Sequence, residues 1–359
     1  MNQAKEGRQE QEFGQERGKE SAEEKRQPLP AGKLDTELLR RIVFRHIHHK
    51  RPEVLVRPGV GEDCATLDFG GYECVMSTDP ITAAISDIGR LAVHITCNDI
   101  ASNGVEPLGI MLAVMLPVGT TAEEIESIME QAAEVSESLG VEIIGGHTEI
   151  TPAVNRPVIV STAIGRTPAG GSQKAENMRE GDVILMTKQA GLEGSGIIAS
   201  DFAEELSGVL TPEELAEAQG YLKKVSVVKE GVAAGRAGTA GMHDITEGGV
   251  LGAVWELSEI AGTGVELWES AIPVSGVTKK ICAHFGINYL RLISSGCMMI
   301  IVHPQQEAAV VEAITGAGVA ISRIGRVTGA GEPRLLLDAQ GGSRQIEPPD
   351  SDELYKVIK

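Results

Sequence analysis

From Leu34 onward the apolar residues fall alternately into helical and strand-like periods, whereas residues 1–33 show almost no apolar periodicity. Asp35 is placed to cap a helix whose apolar positions are Leu38, Leu39, Ile42 and Val43, ending in the RHIHHK run at Arg45–Lys50. A short strand is expected at Cys74–Ser77. A helix over Ile88–Asn103 turns Ile88, Leu91, Ala92, Ile95 and Cys97 or Ile100 inward and closes on Gly104 as a left-handed cap. Leu108–Leu116 reads as a strand. Thr121 and Glu124 form a capping box ahead of Ile125, Ile128, Met129, Ala132 and Leu139, which keep helical spacing up to Gly140. Val141–Ile144 and Val158–Ile164 read as further strands.

The pattern lapses over residues 167–180, a stretch rich in Gly, Pro and Ser. A second set follows: strand Val183–Thr187, the glycine turn AGLEGSG, helices to about Gly238, the turn MHDITEGGV and helix Val250–Ile260. Strand Met298–Val302, a helix near Gln306–Ile314 and strand Ser322–Val327 complete it. The predicted organisation is a disordered polar tail over 1–33, one α/β domain over 34–166, a linker over 167–180, a second α/β domain over 181–345, and a tail over 346–359.

Composition narrows the function. The 359 residues are 42% hydrophobic but only 3% aromatic, so the core is aliphatic and base-stacking platforms are few. The tail holds seven basic and seven acidic residues, which leaves the net charge of −19 on the body. That balance argues against nucleic-acid binding, whose affinity comes largely from basic faces. Five cysteines, with neither CxxC nor zinc spacing, read as reduced core thiols of a cytoplasmic protein. The longest apolar run, Ile110–Val118, is too short to span a bilayer.

The candidate chemistry is a series of acids beside glycines or at element ends. Asp63 sits in GVGEDCA, where Glu62 and Asp63 place one acid inward whichever way the turn faces. Asp79 follows the Cys74–Ser77 strand, with Pro80 fixing an extended geometry; a capping Thr-Asp turn is the alternative. His94 and Asn98 share a helix face, and Asp99 stands near the helix C-terminus, where the dipole disfavours an acid unless a cation is near. His94 also reads as a hydrogen-bonded core histidine. In IGGHTEI, Gly145 and Gly146 leave room for phosphate or base, Thr148 offers a hydroxyl, and His147 is a candidate acid–base group. Gly194 in AGLEGSG and Gly248 in MHDITEGGV, which also supplies Asp244, mark glycine turns at helix N-termini suited to an anion. Neither matches a P-loop or dinucleotide fingerprint. Converging carboxylates without matching bases need a cation, and Mg²⁺ with a phosphate-bearing ligand is the simplest.

In this order the motifs resemble the aminoimidazole ribonucleotide (AIR) synthase superfamily over roughly Leu34–Val327. Its members include AIR synthase, selenophosphate synthetase, thiamine-monophosphate kinase and the hydrogenase-maturation carbamoyl dehydratase. The resemblance implies a PurM-like two-domain α/β (α+β) fold, whose N-terminal mixed sheet builds a dimer barrel. It also implies ATP in the cleft, held by Mg²⁺ on acids of the kind seen at Asp63, Asp79, Asp99 and Asp244. KLDTELLRRI, GVGEDCATL and STDP look like the kinase, and MHDITEGGV like the hydrogenase-maturation protein. SSGCMMI replaces the kinase's acidic motif, and the chain ends DELYKVIK rather than in the cysteine that carries the carbamoyl group.

The expected protein is an ATP- and Mg²⁺-dependent enzyme that activates or phosphorylates a small polar acceptor, closest to the hydrogenase-maturation branch. It would be homodimeric, with a maturation partner protein and no membrane association. Asp63, Asp79, Asp99 and Asp244 would hold metal, and Asn98 a phosphate-side contact. Gly145, Gly146, Thr148, Gly194 and Gly248 would line the nucleotide, with His94 and His147 moving protons. The alternatives are a thiamine-monophosphate-type kinase and a non-catalytic nucleotide-binding accessory protein.

Overall fold

Alternation, interrupted by register shifts in β4, builds the first sheet. In a computed structural model, which describes residues 34, 36–82, 87–349 and 351–358, six strands lie in the order β1-β2-β3-β6-β4-β5. They are β1 (Val54–Val56), β2 (Ala65–Asp68), β3 (Tyr72–Ile81), β4 (Pro107–Leu116), β5 (Glu142–Ile150) and β6 (Val158–Pro168). All pairs are antiparallel except β4–β5. Ile110, Leu112, Val114 and Leu116 of β4 are buried beneath the helices, and Leu108 and Met111 are exposed on the other face.

The strand predicted at Cys74–Ser77 runs on to Ile81, so Asp79 lies within β3 rather than beyond it, paired with Ser161. Pro80 is tolerated because β2 pairs with β3 only as far as Met76, which leaves that edge without a partner needing the missing N–H. Likewise Val141–Ile144 is the start of a longer edge strand that takes in the whole GGHTEI motif.

Helix α1 (Thr36–Ile42) buries none of its residues. Its proposed cap, Asp35, and the 1–33 tail lie outside the described residues. Helix α2 (Ile88–Ser102) and helix α3 (Ala122–Leu139) cover the first sheet, and α3 begins with both arms of the Thr121–Glu124 capping box. α2 differs from the amphipathic expectation. His94, Asn98 and Asp99 are buried and Ile95 is less so, because α2 packs on β3 and β6 with one side and on the second half with the other.

The second sheet has the order β13-β12-β9-β11-β7-β10-β8. Its strands are β7 (Val183–Thr187), β8 (Gly241–Asp244), β9 (Thr263–Trp268), β10 (Met298–Val302), β11 (Ile321–Ala330), β12 (Arg334–Leu337) and β13 (Ser343–Gln345). Every residue of β7 and β10 is buried, which their unbroken apolar runs require. Around it lie α4 (Leu192–Asp201), α5 (Ala203–Leu206), α6 (Pro212–Gln219), α7 (Val228–Ala237), α8 (Gly249–Ala261), α9 (Gly276–Phe285) and α10 (Glu307–Gly316).

Leu34–Lys359 cluster as one compact unit. The 167–180 stretch is tied to the first half, where Glu73 accepts from the amides of Gly170 at 2.9 Å and Ser172 at 3.1 Å. Residues 346–349 and 351–358 are docked too, with Ile346, Leu354 and Val357 buried.

Candidate functional site

Four separate segments bring their acids to one place. Alternation on β3 puts Ser77 and Asp79 on the face that meets α2, where Asp99 waits three residues before the helix end. Ser77 Oγ donates to Asp99 Oδ2 at 2.5 Å, and Asp79 lies within hydrogen-bonding reach of the same carboxyl. From the second half, β8 ends on Asp244. The turn carrying Asp63 completes the set. It packs on α8 through Gly61, whose φ is +74 and where a Cβ would stand 3.0 Å from Glu256 Cβ and Ile260 Cδ1.

Oxygens of Asp63 and Asp244 and a ring nitrogen of His243 all lie within 4.8 Å of one another. His243 is buried, with Nδ1 3.4 Å from Asp63 Oδ2 and Nε2 3.2 Å from Glu256 Oε2. Burial opposes the charged imidazole, but Asp63, Glu256 and Asp244 outweigh it and hold its pKa at about 10. Burial raises the Asp99 carboxyl well above its ordinary value, and Asp244, Asp79 and Asp63 push it in the same direction. Glu62 is raised by burial and by Asp63. One imidazolium faces several carboxylates, so the cluster must take up either protons or a cation. Hard oxygen donors of this kind fit Mg²⁺.

The other predicted residues are placed elsewhere. Asn98 is fully buried, but its amide donates to Val225 O at 2.8 Å and accepts from Val227 N at 2.8 Å. Both atoms bond within the fold. His94 is buried with Nδ1 unpartnered among the described residues, and burial, then Arg90 and Lys188, lower its pKa to about 4. It stays neutral and touches none of the four aspartates in any described contact.

Gly145, Gly146, His147 and Thr148 line a shallow cavity of about 220 Å³ with Leu112, Val114, Met129 and Ile143, and none of the four aspartates lines it. The His147 side chain there is 71% exposed, 3.3 Å from Glu149. Gly146 is required by the sheet, because a Cβ would stand 2.0 Å from Leu112 O. Gly194 is likewise a packing residue, its N–H bound to Ile293 O at 3.0 Å and its Cα against Leu292. At Gly248 the N–H is taken by Asp352 Oδ2 at 2.8 Å.

Three residues escaped the sequence reading. His243 stands beside Asp244 in the motif already singled out, where only the acid and the glycines were read. Glu256 has no sequence signal, being brought in by α8. Lys188 follows β7 with φ 52, the one non-glycine with positive φ among the described residues. Its Nζ donates to Ser226 O at 2.6 Å, Glu230 Oε1 at 2.5 Å and Gly296 O at 2.6 Å. Together Asn98 and Lys188 hold the 225–227 backbone between the halves.

Two successive α/β halves with carboxylates gathered between them invite comparison with known families. The N-terminal-domain model of the AIR synthase related proteins matches residues 61–167 and the C-terminal-domain model residues 179–338, so the chain belongs to that family. A putative hydrogenase expression/formation protein of Methanocaldococcus jannaschii is 28% identical over 342 residues, covering 91% of this chain and 97% of the relative. Carbamoyl dehydratase HypE of Rhodobacter capsulatus is 28% identical over 311 residues, 84% of this chain and 88% of the relative. The structure of hydrogenase maturation protein HypE in complex with ATP matches with a TM-score of 0.69 at 23% identity, over 90% of this chain and 97% of that one, a likeness of fold. The superfamily and the hydrogenase-maturation branch expected from the motifs are both found. No helix among the described residues is long and apolar enough to cross a membrane.

Proposed function

We propose that this protein is an ATP- and Mg²⁺-dependent enzyme of hydrogenase maturation type, which activates or phosphorylates a small polar acceptor. The convergence of Asp63, Asp79, Asp99 and Asp244 from four segments carries the reading. Mg²⁺ bound there would offset the carboxylate charge and supply a Lewis acid for phosphate oxygens. Asp99 would give up the proton that burial now favours, and Ser77 would keep its orientation through the hydrogen bond at 2.5 Å. Glu256 would hold the His243 ring.

Cys297, the last cysteine, is fully buried, donates to Gln189 O at 2.8 Å and is pushed up to about 12 by burial. Cys297 is unsuited to accept an activated group. The relatives' names tie them to hydrogenase formation, which supports a maturation partner protein. Exposed Leu108, Met111, Ile144 and Ile150 on the first sheet support a homodimer built on that sheet.

Calorimetric titration with a non-hydrolysable ATP analogue tests the reading. Binding with Mg²⁺ that vanishes in EDTA is expected. No binding in either condition would reduce the carboxylates to a structural cluster.

A further inference from the structure

The turn at 59–63 takes its place from the other half of the chain. Within the turn Glu62 N–H bonds Gly59 O at 3.4 Å, and Gly61 takes a left-handed φ of +74. Glu256 of α8 meets this turn twice. Its Cβ would stand 3.0 Å from a Cβ on Gly61, and its Oε2 lies 3.2 Å from His243 Nε2. The other ring nitrogen, Nδ1, faces Asp63 Oδ2 at 3.4 Å. Of the two neighbouring acids in the turn, Asp63 and not Glu62 joins His243 and Asp244 among the described residues.

Its chemistry makes the ring a holder of ligands rather than a ligand. Nδ1 is 2.6 Å from the carbonyl oxygen of Asp244. A carbonyl only accepts, so Nδ1 carries a hydrogen and has no lone pair there for a cation. That N–H stands between Asp244 O and Asp63 Oδ2 and ties the end of β8 to the turn. His243 is buried, so little water competes for the contact. On the Nε2 side the facing group is the buried Glu256, and the tilt of the ring follows that carboxylate.

We propose that Glu256 is a positioning residue that acts through the His243 ring to fix the Asp63 carboxylate in the site, so that a helix of the second half sets a metal ligand of the first. Glu256 itself touches no metal. The consequence for the metal rests on the function proposed above; the clamp on the turn does not.

The test uses the full chain, with Mn²⁺ as the probe followed by electron paramagnetic resonance, and hydrogen exchange of residues 59–64 in EDTA. Glu256→Asp keeps the charge and the Cβ against Gly61 but withdraws the carboxylate from the ring. Glu256→Gln keeps the reach and an acceptor but loses the charge. Glu256→Asp should weaken Mn²⁺ binding about tenfold and speed exchange of the turn. Glu256→Gln should stay close to the wild type in both. Glu259→Gln loosens the same helix at Arg40 and Arg334 and should leave Mn²⁺ binding unchanged. Binding that follows charge instead of reach, or that falls equally in all three variants or in none, overturns the proposal. A wild type that takes up no Mn²⁺ removes the proposed function, and exchange then decides alone. A turn faster in Glu256→Asp than in Glu256→Gln supports the clamp, and equal exchange in both removes it.

Discussion

Asn98 and Val227 join the two halves of the chain: the buried side-chain oxygen of one accepts from the backbone N–H of the other at 2.8 Å, while the same amide reaches Val225 O. Asn98 therefore fastens one half to the other. Asn98→Ala leaves a buried N–H and a buried C=O without partners, at about 1–3 kcal/mol each. Thermal unfolding should show a clear fall in Tm. An unchanged Tm with lost nucleotide binding would return Asn98 to the ligand.

Asp99→Asn has the opposite signature. The amide is close in shape to the protonated carboxyl that burial and the neighbouring acids favour. Without metal its Tm should equal or exceed that of the wild type, because one crowded acid has gone. The rise in Tm on adding Mg²⁺ with the ATP analogue should be lost. A full Mg²⁺ response in this variant would exclude Asp99 as a ligand.

Glu256→Gln removes one of the carboxylates that hold His243 up at about 10. NMR titration of the ring in metal-free protein should find the wild type still charged at pH 8. In the variant, deprotonation should begin at lower pH. Identical titrations would mean that Asp63 and Asp244 alone set the ring's charge.

Docking of residues 351–358 should respond to pH. Burial raises Asp352 to about 6 and Glu193 to about 7, so the docked state holds protons that the released, solvated state gives up. The groups facing them are Glu247 before α8, Tyr355 and Ser295 beside Glu193. The stabilisation from these protons is complete below the ordinary carboxylate range, about pH 4, and is lost as pH rises through 6–7. Each shift corresponds to a few kcal/mol at most, from about 1.4 kcal/mol per unit. Limited proteolysis near the C-terminus should be slower at pH 5 than at pH 8, and a rate that rises on acidification would contradict the sign.

Much of the fold was legible in local pattern. The Thr121–Glu124 box, the Gly104 and Gly140 ends and the runs of β7 and β10 are encoded by neighbours in sequence, where hydrogen-bond geometry and periodicity act over a few residues. The acids at 63, 79, 99 and 244 were also visible, because each stands where glycine or an element end brings backbone to a cleft. Their order was enough to indicate the family.

Which residues meet was decided by the tertiary structure. His243 and Glu256 enter the site only because α8 packs under the 59–64 turn, and Asn98 bonds the 225–227 backbone because α2 is enclosed on both sides. Gly194 and Gly248 have the composition of anion-binding turns, yet Ile293 and Asp352, roughly a hundred residues away in sequence, take their N–H groups. A sequence states what a side chain or an amide is able to bind. Burial and distant partners determine what it does bind, since a polar group enclosed by the fold must be satisfied by whatever the fold brings to it.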